Sequence, residues 1–155
     1  MILKYQKVLV QYDEMHSSTI VIVEPDYSED DTVRAVELCT IDGYTYVYWP
    51  GGLTIPDQPT EIVNGIGEVT LTDELKTQIK DNCPHVKLSY QRLRDRIRSV
   101  YSIDDEQYFS RISIGSLSGT YTMQDDEPGE ITAYQTLVEE SRETARLERV
   151  ALGLG

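Results

Sequence analysis

Along the first fifty residues apolar and polar positions alternate, the period of two that a half-buried strand requires. Residues 2 to 12 (ILKYQKVLVQY) place Leu3, Tyr5 and Leu9 on one side and Ile2, Val8 and Val10 on the other. Ser18 to Glu24 (STIVIVE) is a second, more apolar strand closed by Pro25, and Asp13, Glu14, His16 and Ser17 form the polar turn before it. Thr32 to Ile41 is a third strand and Gly43 to Trp49 a fourth. Asp42-Gly43 between them is the strongest hairpin signal in the chain, because a two-residue turn of that kind needs positive φ. Together these segments predict an antiparallel β-meander, either open or closed into a small barrel.

Pro50-Gly51-Gly52 ends the alternation. Leu53 to Gly67, with Pro56, Pro59 and Gly65, reads as an extended but ordered connector, too apolar for free disorder, and Glu68 to Leu71 as a short added strand. The period then lengthens to that of a helix. Thr72 caps one, with Asp73 and Glu74 in its first turn, Leu75 and Ile79 facing inward, and Asn82 and Pro84 ending it. From Val86 onward Leu93, Ile97 and Tyr101 recur at i, i+4, i+8, flanked by Tyr90 and Val100. At Ser102 the pattern restarts. Its hydroxyl suits the open amides of a new helix, and Asp104, Asp105 and Glu106 suit that helix's positive end. Ser113 to Met123, carrying Gly115 and Gly119, reads as a loose strand or an arm laid over a neighbour, and Gln124 to Glu130 as a charged hinge.

Ile131 to Leu152 closes the chain as a helix. Ile131, Tyr134, Leu137, Val138, Ala145 and Leu152 approximate one stripe, with Glu139 to Arg142 and Glu143 to Arg146 paired on the exposed face. The stripe weakens at Ser141 and Thr144, so the helix either docks on another subunit or packs back on its own sheet. The expected class is α+β: a β-rich domain over 1–71, a helical segment over 72–113, and an arm with a C-terminal docking helix over 114–155.

A length of 155 residues, 39% of them hydrophobic, suits one domain or a small domain with an appendage. Charge changes the picture more. With 27 acidic against 14 basic side chains the net charge is -13, which repels nucleic-acid phosphates and anionic membranes, so neither is an expected partner. Half of the positive charge lies between Lys76 and Arg98, where Arg92, Arg94, Arg96 and Arg98 crowd the central helix; such mixed faces commonly pair with acids elsewhere. Cys39 and Cys83 are too few for a disulfide framework and read as small buried hydrophobes of a protein made in a reducing cytoplasm. The N-terminal stretch alternates rather than forming a secretory signal, and no run approaches a membrane span.

Asp26, Ser28, Asp30 and Glu37 fall at the first, third, fifth and twelfth places of a calcium loop. The sixth place is Asp31 instead of glycine and strands flank the segment, so a solvated acidic turn is the expectation and calcium the alternative. Cys83-Pro84-His85 lacks further zinc ligands nearby, and Gly65-Ile66-Gly67 lacks the rest of a phosphate-binding loop. No catalytic residue, metal site or cofactor is assigned. Tyr44, Tyr46 and Tyr48 share one strand face, either as an amphipathic platform for a partner or as a layer packed beneath a helix. The residues expected to carry an interface are Tyr44, Tyr46, Tyr48, Arg94, Arg98, Tyr134, Leu137, Val138 and Leu152.

Thr45 to Ile62 (TYVYWPGGLTIPDQPTEI), followed by Arg96 to Ile112 (RIRSVYSIDDEQYFSRI), resembles segments of small tail and tail-fibre-associated proteins of tailed bacteriophages. The resemblance lies in a strand, a proline-bearing connector and a helix junction, here Arg98, Tyr101, Ser102, Asp104, Asp105 and Glu106. It implies a non-enzymatic virion component of a tail, baseplate, neck or fibre, made in the host cytoplasm, forming a homo-oligomer or docking on other virion proteins. The competing expectation is a soluble acidic intracellular adaptor or inhibitor that binds a basic host protein.

Overall fold

The computed structural model describes residues 1–11, 14, 17–20, 34–53, 55, 57–58, 60–63 and 65–155. Among these the strands are β1 (Ile2–Tyr5), β2 (Val8–Gln11), β3 (Ser17–Ile20), β4 (Val36–Ile41), β5 (Tyr44–Tyr48) and β6 (Gly67–Glu68). The helices are α1 (Thr60–Val63), α2 (Asp73–Asn82), α3 (Pro84–Arg98), α4 (Ile103–Leu117) and α5 (Glu127–Val150). The fold is α+β, with the strands in the N-terminal half and the long helices after them. The chain divides into two compact units, the first formed by Met1–Lys87 with Val150–Gly155 and the second by Leu88–Arg149.

In the first unit Asp42 and Gly43 turn the chain at φ of 51° and 79°, the left-handed pair that joins twisted antiparallel strands, and β5 returns alongside β4. The strand order is β4-β5-β1-β6, not the order of a meander. Residues 2 to 12 do not make one strand. They break at Gln6 and Lys7, where Lys7 reaches Glu37 at 2.8 Å; β2 then pairs with β3 in a separate two-stranded sheet. The flanks of β1 are thereby left to β5 (Ile2↔Tyr48, Leu3↔Val47) and β6 (Leu3↔Glu68). β4 and β6 are the edges of the four-stranded sheet, which is open among the described residues.

Both faces of this sheet are buried, and period-two alternation sorts the side chains between them. Ile2 and Tyr46 face one way and join Ile79 of α2, Cys83 and Val86 in a core. Leu3, Tyr5, Val47 and Trp49 face the other and meet Ile62 of α1, with Leu53, Ile55 and Ile66 packed around them. The described connector residues Leu53, Ile55, Ile62 and Ile66 thus cover the second face, tied down where the Trp49 indole donates to the Leu53 carbonyl at 3.0 Å. A bulge in β4 between Glu37 and Cys39 breaks the alternation, which is how the consecutive Leu38 and Cys39 both enter the first core. Thr72 caps α2 by accepting from the Leu75 amide at 3.2 Å.

The end of the chain belongs to the same unit. Leu154 has 0% of its surface exposed and sits in the core with Ile2, Leu38 and Ile79, with Leu152 packed against it. Gly153 makes the turn that inserts them: its φ is 69°, and a Cβ there would meet the Tyr48 ring at 2.9 Å. No other residue fits that approach without strain.

Candidate protein interface

The second unit is built from helices whose ends are fixed by side chains. Ser102 accepts from the Asp105 amide at 3.1 Å while the Asp105 carboxylate accepts from the Ser102 amide at 2.7 Å, a reciprocal box that starts α4. The Ser102 hydroxyl, which donates to the same carboxylate at 2.7 Å, and then the Ser102 amide hold the Asp105 carboxyl below the ordinary carboxylate range. Arg98, at the end of α3, bonds Glu106 in the first turn of α4.

On α3 the inward stripe runs through Ser89, Leu93, Ile97 and on to Tyr101, one position every four residues. Ser89 and Leu93 line, with Ser141 and Ala145 of α5, a crevice of about 280 Å³. Small side chains meet at this crossing, so the residue that weakened the apolar stripe of the last helix is a buried packing position. The Ser141 hydroxyl is satisfied by the Leu137 carbonyl at 2.6 Å. Arg92 pairs with Glu148 at 3.4 Å and Arg96 with Glu140 at 3.3 Å across the same crossing. The arginine-rich helix is therefore largely neutralised by its own chain.

Tyr101, Phe109 of α4 and Tyr134 of α5 form an aromatic cluster with ring centroids 5.3 to 5.7 Å apart, Tyr101 edge-on to both others. Beside it lies a group that composition and pattern did not reveal. Glu127, 4% exposed, accepts from the hydroxyls of Tyr108 and Tyr121 (2.7 Å for the latter) and from the Gln124 amide at 2.8 Å. The Tyr108 hydroxyl and then the Gln124 amide hold its carboxyl below the usual range; the same carboxylate pushes both phenols up. Of the charged stretch Gln124 to Glu130, Glu127 alone is buried, and its satisfied carboxylate opens α5.

Nor is Ser113 to Met123 a strand or an arm. It continues α4 to Leu117 and turns at Ser118 and Gly119, because Phe109 and Ile112, both buried, carry the helical period through Gly115. At 100° per residue, Ile103, Gln107, Ser110, Ile114 and Leu117 then fall within an arc of roughly 80° opposite Phe109 and Ile112. All five are exposed, the three apolar ones by 55%, 67% and 90% in chain order. A helix that buries one stripe and displays three exposed apolar side chains on its back, with Gln107 and Ser110 between the first and the other two, offers a contact surface. Arg111, whose guanidinium lies 5.5 Å from the Tyr108 ring, borders it on one side with Asp104. Next to Arg111 and Ile114 is an open crevice of about 510 Å³.

The residues expected to carry an interface are scattered. Tyr44 is exposed, with the Lys4 ammonium 5.2 Å from its ring; Tyr46 is a core residue at 8% exposure; Tyr48 is half-buried against Gly153. Arg94 is exposed, Arg98 is engaged by Glu106, Tyr134 stands in the aromatic cluster, and Leu137 and Val138 are half-buried on α5. Leu152 packs on the core of its own first unit. The residues missed are Ile103, Ile114, Leu117 and Glu127. Of the first three, Ile103 stands at the start of the expected helix, while Ile114 and Leu117 fell in the segment whose glycines read as a loose strand or arm.

Of the acidic loop, Asp26 to Asp31 lie outside the described residues, and Glu37 pairs with Lys7. Among the described residues no group of three or more His, Cys, Asp or Glu side chains is placed to hold a metal ion. Cys39 and Cys83 are free and buried. No described helix is long and apolar enough to cross a membrane. The fold and surface define an α+β protein with an outward apolar helix face. Compared with known proteins, the chain matches no family model, no curated protein and no solved structure.

Proposed function

We propose that this is a non-enzymatic structural or assembly protein of a tailed-phage virion, of the tail, baseplate, neck or fibre, that works by self-association and by docking on other virion proteins. The observation that carries the reading is the outward stripe of α4, where Ile103, Ile114 and Leu117 stand in solvent on a helix whose other face is already packed. Apolar side chains aligned on one exposed helix face offer a surface on which another protein can bury them. The sequence resemblance of Thr45 to Ile62 and Arg96 to Ile112 supports the virion setting. A second reading, an acidic adaptor or inhibitor of a basic host protein, draws on the net charge of -13 together with the internal pairing of Arg92, Arg96 and Arg98, which leaves acid dominant outside.

Size-exclusion chromatography with light scattering, followed by negative-stain microscopy, separates them. A virion component forms a discrete oligomer at micromolar concentration. A monomer that binds basic proteins, with an affinity falling steeply with salt, overturns the structural reading in favour of the adaptor.

A further inference from the structure

Resting on the self-association reading, the geometry points to a specific contact: the outer stripe of α4 is the seat of a second copy of this chain, paired antiparallel along the same stripe. The stripe is self-complementary in one register. Written as a heptad seam, Ile103, Ser110 and Leu117 occupy one core position and Gln107 and Ile114 the other. Running a second helix in the opposite direction sets Ile103 against Ile114 of the other copy and Gln107 against Ser110, and the two-fold axis repeats both layers. Apolar meets apolar and polar meets polar. Leu117 then extends past the start of the other α4, toward the corner that carries the exposed Val100.

Charge selects the same register. In an antiparallel seam the flanking position at 104 faces that at 111 of the other copy, so Asp104 meets Arg111 twice. Both side chains are exposed, and neither has an ion pair among the described residues. In a parallel pairing Ile103 would stack on Ile103, and Arg111 would instead seek Glu106, which is already bonded to Arg98. The crevice beside Arg111 and Ile114 lies where the other copy's Asp104 arrives. Two fifteen-residue helices are short, about 22 Å each, so the contact belongs at the low end of specific interfaces. It suits a protein held in its assembly by more than one contact.

The test is sedimentation velocity of the full chain across roughly 1–100 µM, the range in which a contact of this size dissociates. Wild type is expected to dimerise reversibly. Leu117→Asp and Ile114→Asp, both on exposed side chains, should weaken dimerisation at least tenfold, with circular dichroism unchanged. Asp104→Arg or Arg111→Asp alone should weaken it severalfold, and the two together should restore it, because opposite charges again face each other. Mixed Ile103→Cys and Ile114→Cys chains should form a disulfide between unlike copies, the native thiols being buried. A dimer indifferent to Leu117→Asp and Ile114→Asp overturns this contact and leaves self-association through another surface. A dimer lost in those variants but not restored by the charge swap, or cross-linked only between like cysteines, overturns the antiparallel register. A wild-type monomer throughout overturns both the contact and the self-association reading, and assigns the stripe to a different protein.

Discussion

Leu154→Ala tests whether the C-terminal segment belongs to its own chain or to a neighbour. Leu154 is wholly buried and belongs to the core that also holds Ile2, Leu38, Cys39, Tyr46, Ile79, Cys83 and Val86. Truncation to alanine removes three carbons, about 2.4 kcal/mol at ~0.8 kcal/mol per methylene, and the residual cavity raises the loss to roughly 3 kcal/mol. That is a large share of the ~5–15 kcal/mol that holds a domain together. In urea, with a slope of about 2 kcal/mol per molar, the unfolding midpoint should fall by roughly 1.5 M at unchanged slope. The shift should be the same at low and high protein concentration, because the residues enclosing Leu154 are its own. A midpoint change under about 0.3 M, or one that appears only where the protein is oligomeric, would refute the reasoning and return the segment to an intermolecular role.

Gly153→Ala should destabilise by about 1–3 kcal/mol, since it combines a φ of 69° with a Cβ 2.9 Å from the Tyr48 ring; thermal unfolding reads it, and a neutral result would mean the turn is not rigid. Glu127 has a carboxyl pKa lowered by Tyr108 and Gln124, so its contribution to stability is complete above the unfolded carboxylate value and is lost as pH falls through the lower folded value. Glu127→Gln should therefore lower the urea midpoint at pH 7 and converge on wild type in the acid range; an equal gap at both pH values would count against the buried-carboxylate account. Cys39, pushed up to about 11 chiefly by burial and then by Cys83, should resist a thiol reagent at pH 8 until urea unfolds the chain, and rapid native labelling would contradict the packing of that core.

The parts of the fold legible in the sequence are those decided within a few residues. Asp42-Gly43, the Thr72 cap, the restart at Ser102 and the Glu139–Arg142 and Glu143–Arg146 pairs are local signals, and each is where it was expected. Strand order was not legible, because β1 and β2 form one alternating run whose division at Gln6 and Lys7 depends on partners thirty or more residues away. Leu38 and Cys39 both entering one core is likewise invisible to a period of two, since a bulge supplies the extra residue.

The candidate surface was obscured for a different reason. Gly115 and Gly119 flank β-branched and small residues, a composition that suggests an irregular arm, whereas the helix persists because Phe109 and Ile112 have a core to fill and Gly115 is where Tyr121 passes closely. Once the helix ends at Leu117 instead of near Ile112, Ile114 and Leu117 change from residues of an arm into the far half of a stripe that starts at Ile103. Arg111 and Asp104, two turns apart, already lie on the shorter helix; what the extension adds is the apolar far end beside them. A partner surface here is therefore a property of helix length: a glycine or proline that ended α4 near residue 112 would keep the buried stripe and abolish the outer one. Ser113→Pro, which removes a backbone donor beyond Ile112, should on this logic abolish the proposed dimer in sedimentation velocity while the chain still unfolds cooperatively, and a variant that dimerises like wild type would detach the outer stripe from assembly.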